Sequence, residues 1–294
     1  MTYGITGNTA NEELWHPVSE LTRRLHRKGL EFCLHRDIAH GLEERGLVDP
    51  AFSTQKGTDD VGAHCDLLLS FGGDGTMLKS AHHVGTREVP ILGVNVGHLG
   101  FLTKAGVDEL DEMVDRLEAG QYTVEKRMVI ECDVEGAELA VPRWALNDFV
   151  LDKSGTTSMI AIEAEVDGAY LNTYWADGLI VSTPTGSTAY NLSVGGPIVV
   201  PSSEAVVLTP IAPHTLTARP IVLPDRVTVR LRVTTRGHPY VFAADGQSAE
   251  VEGSAEVTFT IRRASHGVLL VSFPDRDYFT TIRDKLKWGL SQVF

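Results

Sequence analysis

Apolar residues follow two alternating rhythms along the first hundred or so positions. Short strand-like runs occur at 3–6, 30–34, 67–71 and 90–97, separated by segments in which apolar residues step by three or four. Leu14, Val18, Leu21 and Leu25 lie on one helical face, with Asn8, Thr9 and Asn11 ahead of them as caps and Gly29 behind as a C′ residue. Further helices are expected over 38–47, from Met77 to Val84, and where Val107, Leu110, Met113, Val114 and Leu117 recur. Residues 49–64 are polar and contain glycine, and read as a loop. Strands that alternate with helices imply a parallel sheet with helices packed on it.

After Tyr122 the period falls to two. Met159–Val166, Val227–Val233 and Val257–Ile261 alternate, and 268–273 is a continuous β run. Asp167-Gly168, between two such runs, reads as a type I′ hairpin turn. No long helix is expected between about 125 and 275. Tyr278, Ile282, Leu286 and Leu290 then step by four. The expected architecture is an α/β domain with a Rossmann-like parallel sheet over 1–103, then a β-rich, sandwich-like domain over 104–275. The helix at 107–118 bridges them, and the C-terminal helix, 276–290, returns to the first domain.

Composition narrows the function. The chain has 294 residues, 43% of them hydrophobic, enough for two cores. Its net charge of −13 argues against non-specific binding to nucleic acid or anionic membranes. Any polyphosphate ligand would need a locally positive or metal-screened site. Cys33, Cys65 and Cys132 are odd in number and lack metal-ligand spacing, as expected in a reducing compartment. No protein metal site is expected. The N-terminus carries no basic and apolar leader, and no run approaches the ~18 apolar residues of a membrane span, so a cytoplasmic protein is expected.

The chemistry concentrates in a few stretches. Leu67–Phe71 meets Gly72-Gly73-Asp74-Gly75-Thr76, with Lys79 one helical turn further. Strand, glycine turn and helix form a phosphate cradle, because N–H groups at the helix start point at the anion. Asp74 is repulsive there unless it takes a proton or holds a metal; alternatively it only caps the helix. Asp177–Pro197 is dense in hydroxyls and glycine, with five Ser/Thr at 182–188, and such a segment can wrap a polar ligand. Asn147-Asp148 interrupts a β-like run, Asp245-Gly246-Gln247 alone is a hairpin turn, and His214 alone is structural. Dinucleotide and P-loop fingerprints are absent: Leu78 stands where glycine is needed, and Ala63 follows Gly57-x₄-Gly62. Ser193 has no histidine or lysine nearby in sequence to activate it.

Together these stretches resemble the NAD kinases. That family carries G-G-D-G-T, an N-[ED] pair, D-G-x-I-x-x-T-P-T-G-S-T-A-Y-x-x-S-x-G-G-P, P-x-x-P-H-x-L and D-G-Q. They appear here in that order at Gly72–Thr76, Asn147-Asp148, Asp177–Pro197, Pro210–Leu216 and Asp245–Gln247. Pro90–Leu102 also looks like the family's P-I-L-G-x-N-x-G-x-L-G-F-L. The resemblance implies transfer of the γ-phosphoryl group of ATP, or another phosphoryl donor, to the adenosine 2′-hydroxyl of NAD. By it, Asp74 is the general base, and Gly72, Gly73, Gly75 and Thr76 are the cradle. Mg²⁺ screens the donor, and Lys79 either offsets charge or is a solvated helix lysine. Asn147, Asp148 and Asp177 would bind ribose and amide groups of NAD. Thr188, Ala189, Tyr190 and Ser193 would line its pocket with Ala212 and Gln247, between the domains. The resemblance also implies a homo-oligomer, dimer or tetramer, in which a neighbouring subunit helps complete the site. One departure is Asp148, where most members carry glutamate; the charge stays but the stem is a methylene shorter. The rivals are a lipid or sugar kinase sharing G-G-D-G-T, which leaves 177–197 unexplained, and a non-catalytic NAD-sensing module, which has no need of Asp74.

Overall fold

The computed structural model describes residues 1–48, 57–97, 100–155 and 158–288. Residues 49–56 of the expected loop, residues 98 and 99 of the glycine-rich stretch after the 90–97 run, and Leu290 of the expected last helix lie outside the described residues. Two compact units form: Met1–Lys126 with Val268–Phe294, and Arg127–Gly267.

The first unit runs β1 (Tyr3–Gly7), α1 (Trp15–Arg27), β2 (Phe32–His35), α2 (Arg36–Glu44), β3 (Gly57–Thr58), β4 (Leu67–Phe71), α3 (Asp74–Val84), β5 (Ile91–Asn95), β6 (Thr103–Gly106) and α4 (Leu110–Glu118). Its sheet has the order β3-β2-β1-β4-β5. β6 and the end of a strand at Thr258–Ser272 both join β5, and every pairing is parallel. The chain therefore builds outward from β1 to β3 and then returns to place β4 on the other side of β1. The helical face read from the sequence is the buried one: Leu14, Val18, Leu21 and Leu25 have no exposure and pack with Tyr3, Ile5, Leu69 and Phe71. Burying each such side chain stabilises the unit by about 1.5–3 kcal/mol. Asn11 accepts the Glu13 N–H, and Gly29 (φ 68°) closes α1 with Leu30 N–H on the Leu25 carbonyl. Leu110, Met113, Val114 and Leu117 of α4 enter the same core. For that reason the units divide after Lys126 rather than after residue 103, and α4 belongs to the first unit instead of bridging. The final helix, Tyr278–Leu286, is capped by Asp277 and also belongs to this unit.

The second unit is antiparallel. Its strands are β7 (Thr123–Glu135, which enters from the first unit), β8 (Trp144–Ala145), β9 (Asp148–Lys153), β10 (Ile160–Val166), β11 (Ala169–Ala176), β12 (Gly178–Ser182), β13 (Ala205–Ile211), β14 (Ile221–Pro224), β15 (Val229–Thr234), β16 (Tyr240–Ala244), β17 (Gln247–Val251) and β18 (Thr258–Ser272). Its longest helix among the described residues is the single turn α5 (Tyr190–Ser193). One sheet has the order β14-β13-β12-β9-β16-β17, and the other contains β11-β10-β15-β18. Phe149, Leu151, Leu179 and Val181 of the first share a core with Val229, Leu231, Phe259 and Ile261 of the second. Phe242 stacks on Phe149 at 5.4 Å and lies 4.5 Å from Phe259, so aromatic rings join the layers of the sandwich. The Asp167-Gly168 turn has both φ positive (49° and 79°), as a type I′ hairpin requires. The runs 257–261 and 268–273 are parts of the single strand β18. Its interruption, Arg262-Arg263, is matched by Glu131, Asp133 and Asp225.

Candidate active site

Gly72–Thr76 lies at the carboxyl end of β4, beside the reversal of strand order between β1 and β4. Open α/β sheets bind ligands at such a switch. A Cβ on Gly72 would sit 2.3 Å from Thr76 Oγ1, so only glycine fits the turn. Gly73 is the N-cap and Asp74 the first residue of α3, which therefore starts three residues earlier than its apolar pattern suggests. Gly73 and Gly75 are exposed. They border a cleft of about 580 Å³ that Thr76 and the exposed Lys79 also line. The far wall comes from Asn8 and Thr9 after β1 and from His35 and Asp37 at the end of β2, with His83 of α3 alongside. The sequence offered Asn8 and Thr9 only as helix caps and assigned no role to His35, Asp37 or His83. Asn8, Thr9 and His35 lie at the carboxyl edge of β1 and β2, which is the signal that could have found them, whereas Asp37 and His83 lie on helices and carry no such mark.

The Asp74 carboxylate does not cap its own helix. Its Oδ2 accepts the Phe101 N–H at 2.9 Å and its Oδ1 the Leu102 N–H at 3.0 Å. Gly100 makes this approach possible, since a Cβ there would stand 1.9 Å from Oδ1. The backbone between β5 and β6 thus holds a half-buried acid in the cradle. Each oxygen keeps a lone pair with which to accept a further proton. No three His, Cys, Asp or Glu side chains among the described residues group as metal ligands.

In the second unit, Asn147-Asp148 leads into β9. Period two sends Phe149 and Leu151 into the core and turns Asp148, Val150 and Asp152 to the opposite face. There Val150, Ile180 and Ile211 form a small apolar floor that Val194 and Ala243 border. Asp148 is only 5% exposed. Burial, and then the nearby Asp245 carboxylate, push its carboxyl up to about 7. Asp177 is half-buried, ion-paired to Lys153 at 2.7 Å, and its N–H donates to the Ile211 carbonyl. Burial raises the Tyr190 phenol, and Asp152, Asp148 and Asp177 raise it further, so one phenol and three carboxylates share this face. Thr188 and Ala189 are half-buried, and Tyr190, Ser193, Ala212 and Gln247 exposed. Ala212 holds a positive φ of 41°, a strain of about 1–3 kcal/mol, immediately after β13. The structure therefore gathers Asp148, Asp177 and Tyr190, with Ala212 next to Asp177's partner Ile211. Gln247 stands on β17, two positions from Asp245.

The hydroxyls of Ser182, Thr183 and Ser187 are not free to wrap a ligand. Ser182, Thr183, Thr185 and Ser187 are buried. Thr183 Oγ1 donates to the Leu146 carbonyl at 2.5 Å and accepts the Gly186 N–H at 3.0 Å. Ser187 Oγ donates to the Pro184 carbonyl and accepts the Val199 N–H. Asn191 then ties Ser187, Pro197 and Thr209 together. The stretch is a scaffold, and the residues open to a ligand begin at Thr188.

Residues 3–122 match the family model described as the ATP-NAD kinase N-terminal domain, and residues 146–273 match the ATP-NAD kinase C-terminal domain. The chain belongs to the NAD kinase family. It is 39% identical over 293 residues to the NAD kinase of Bacteroides fragilis, covering 98% of each chain. It is 44% identical over 248 residues to that of Gemmatimonas aurantiaca, covering 84% of this chain and 85% of the relative. Among solved structures it is similar to an NAD kinase from Archaeoglobus fulgidus in complex with ATP, with a TM-score of 0.73, 26% identity, and coverage of 98% of this chain and 99% of that one. The fold is also that of yeast NADH kinase complexed with NADH, with a TM-score of 0.88, 24% identity, and coverage of 99% and 89%. A lipid or sugar kinase and a non-catalytic sensor find no support in these matches.

Proposed function

We propose that this chain transfers the γ-phosphoryl group of ATP to the 2′-hydroxyl of the adenosine ribose of NAD, making NADP, and that Asp74 is the general base. The observation that carries the proposal is a carboxylate held by two N–H groups inside a glycine cradle. The ribose O–H gives its proton to Asp74 as the new O–P bond forms and the bond to the departing ADP breaks. The N–H groups of Gly73 and Gly75, with the Thr76 hydroxyl and Lys79, bind the donor phosphates. Mg²⁺ would enter with the nucleotide, as part of the substrate, and screen the donor phosphates.

NAD is held on the second unit by Asn147, Asp148, Asp177, Thr188, Ala189, Tyr190, Ser193, Ala212 and Gln247. Carboxylates there accept from ribose hydroxyls and the carboxamide, and the floor of Val150, Ile180 and Ile211 packs a ring. ATP as donor agrees with the family's description and with the A. fulgidus relative crystallised with ATP. The protein acts in the cytoplasm as a homo-oligomer. Trp175 and Leu216, 52% and 86% exposed, support a self-contact on the second unit, and light scattering of the purified chain measures it. The deciding assay for function mixes protein, NAD, Mg²⁺ and ATP, and reads NADP with an NADP-specific dehydrogenase. NADP formation supports the proposal, and none with ATP or other donors overturns it.

A further inference from the structure

Asp245 opens the turn between β16 and β17 with a left-handed φ of 48°. A type I′ turn needs positive φ at its two central residues, and Asp-Gly supplies it without using the carboxylate. Here the carboxylate is fully engaged elsewhere. Its Oδ2 accepts the Leu146 N–H at 2.8 Å, and its Oδ1 accepts the N–H groups of Asn147 at 2.7 Å and Asp148 at 3.3 Å. The Asp245 N–H donates back to the Asp148 carbonyl at 3.1 Å.

These bonds do not set the sheet register, because β9 and β16 already pair from Tyr240–Lys153 to Ala244–Phe149. They continue the pairing past the point where the ladder stops, onto 146–148. The carbonyls of that segment are fixed from the other side. Thr183 Oγ1 donates to the Leu146 carbonyl, and the Thr183 N–H and Ser182 Oγ donate to that of Asn147. With its N–H groups and the Asp148 carbonyl on Asp245, and the Leu146 and Asn147 carbonyls on 182–183, the segment is left with the side chains of Asn147 and Asp148 to offer a ligand.

We propose that Asp245 is a positioning residue for NAD recognition, whose carboxylate fixes the backbone from which Asn147 and Asp148 reach the dinucleotide. The inference rests on the reading that this face binds NAD. It joins three separate sequence motifs, at 147–148, 182–183 and 245–247, in one hydrogen-bonded unit with Asp245 as the hub.

The charge of Asp245 has its own signature. Asp148 faces Asp245 from the turn and Tyr190 from α5, with Asp152 further along β9 and the Asp177–Lys153 pair beside it. Removing the Asp245 charge lets Asp148 ionise at lower pH. Ionised Asp148 accepts charge-assisted hydrogen bonds from NAD hydroxyls on both oxygens, and protonated Asp148 keeps only the weaker acceptor capacity of a neutral acid. The pH at which NAD binding strengthens therefore reports on Asp245.

The test uses the full chain, calorimetric titration with NAD, and initial rates with ATP and Mg²⁺ across pH. Asp245→Ala is expected to raise KM and Kd for NAD about tenfold or more, with KM for ATP within about twofold and kcat within about threefold. Asp245→Asn, which keeps the size and one acceptor oxygen, raises KM for NAD less and moves the pH midpoint of NAD binding downward. Equal rises in KM for NAD and ATP, unchanged NAD binding, or an unmoved midpoint in Asp245→Asn would overturn the proposal. If Asp245→Ala does not fold, Asp245→Asn decides alone. Failure of the activity reading shows in the wild-type chain, which then makes no NADP; failure of the positioning role shows only in the variants.

Discussion

Two stretches of similar composition behave in opposite ways. Gly72–Thr76 is short, and its glycines 73 and 75 open onto a cleft with the N–H groups of a helix start beneath them. Ser182–Ser187 has more polar atoms, yet its hydroxyls at Ser182, Thr183 and Ser187 are buried and bonded to the backbone around them. A buried polar group must find partners inside the fold, so it is no longer available to a ligand. What marks a binding stretch is therefore donors left open at a cleft, and a count of hydroxyls marks a scaffold equally well. The same contrast separates the acids. Both acids accept N–H groups of their own chain, but Asp74 takes one on each oxygen inside the glycine cradle, whereas Asp245 takes three from a single segment.

The largest test of this contrast is Asp74→Asn. It removes the base and retains the shape, so kcat should fall about 10²–10⁴-fold while NAD binding by calorimetry stays within about twofold. Near-wild-type turnover would end the general-base role. Next is Asp177→Ala on the second unit. KM for NAD should rise about tenfold or more and KM for ATP little, because its contacts all lie on that unit. Equal effects on both substrates would misplace the dinucleotide pocket. A smaller effect is expected from Thr183→Val, which deletes the bond to the Leu146 carbonyl and strands the Gly186 N–H. Unfolding in urea should show a loss of about 1–3 kcal/mol, with KM for NAD changed less than about threefold. A raised KM at unchanged stability would make 182–188 a ligand-binding stretch after all and dissolve the comparison.

Local order was legible in the sequence. The face carrying Leu14, Val18, Leu21 and Leu25, the Gly29 C′ residue and the Asp167-Gly168 turn all follow from spacing and backbone chemistry within a few residues. The cradle was legible too, because strand, glycine turn and helix are contiguous there. What the sequence hid is long-range. Asp74 meets N–H groups 27 and 28 residues away, and Asp245 meets N–H groups 97 to 99 residues away. An aspartate followed by glycine looks the same whether its carboxylate faces water or fixes a distant segment. The unity of β18 was hidden for a related reason. Arg262 and Arg263 break the apolar alternation, and the acids that accommodate them lie on other strands or turns. The internal role of Ser182, Thr183 and Ser187 was hidden because composition does not report burial.

The last test is Asp148→Asn, whose effect is read from the pH dependence of stability, and it asks whether the acid on the second unit is held at a cost the scaffold hydroxyls do not carry. Asp148 ionises near 7 in the folded chain, against an ordinary value of 3.8. Between about pH 4 and pH 7 the unfolded chain carries the ionised form while the folded chain keeps its proton, so unfolding releases a proton and stability falls as pH rises. Above pH 7 both states are ionised and the loss is complete. The amide has no charge to bury. Asp148→Asn should therefore match the wild-type Tm near pH 4 and exceed it by about 3 °C or more at pH 8. A Tm difference that does not change with pH would show that Asp148 is not held against its own ionisation, and that its burial beside Asp245 is merely packing. A difference that grows with pH, together with a raised KM for NAD at pH 8, would mean that a destabilising carboxylate is kept here because the ligand needs it.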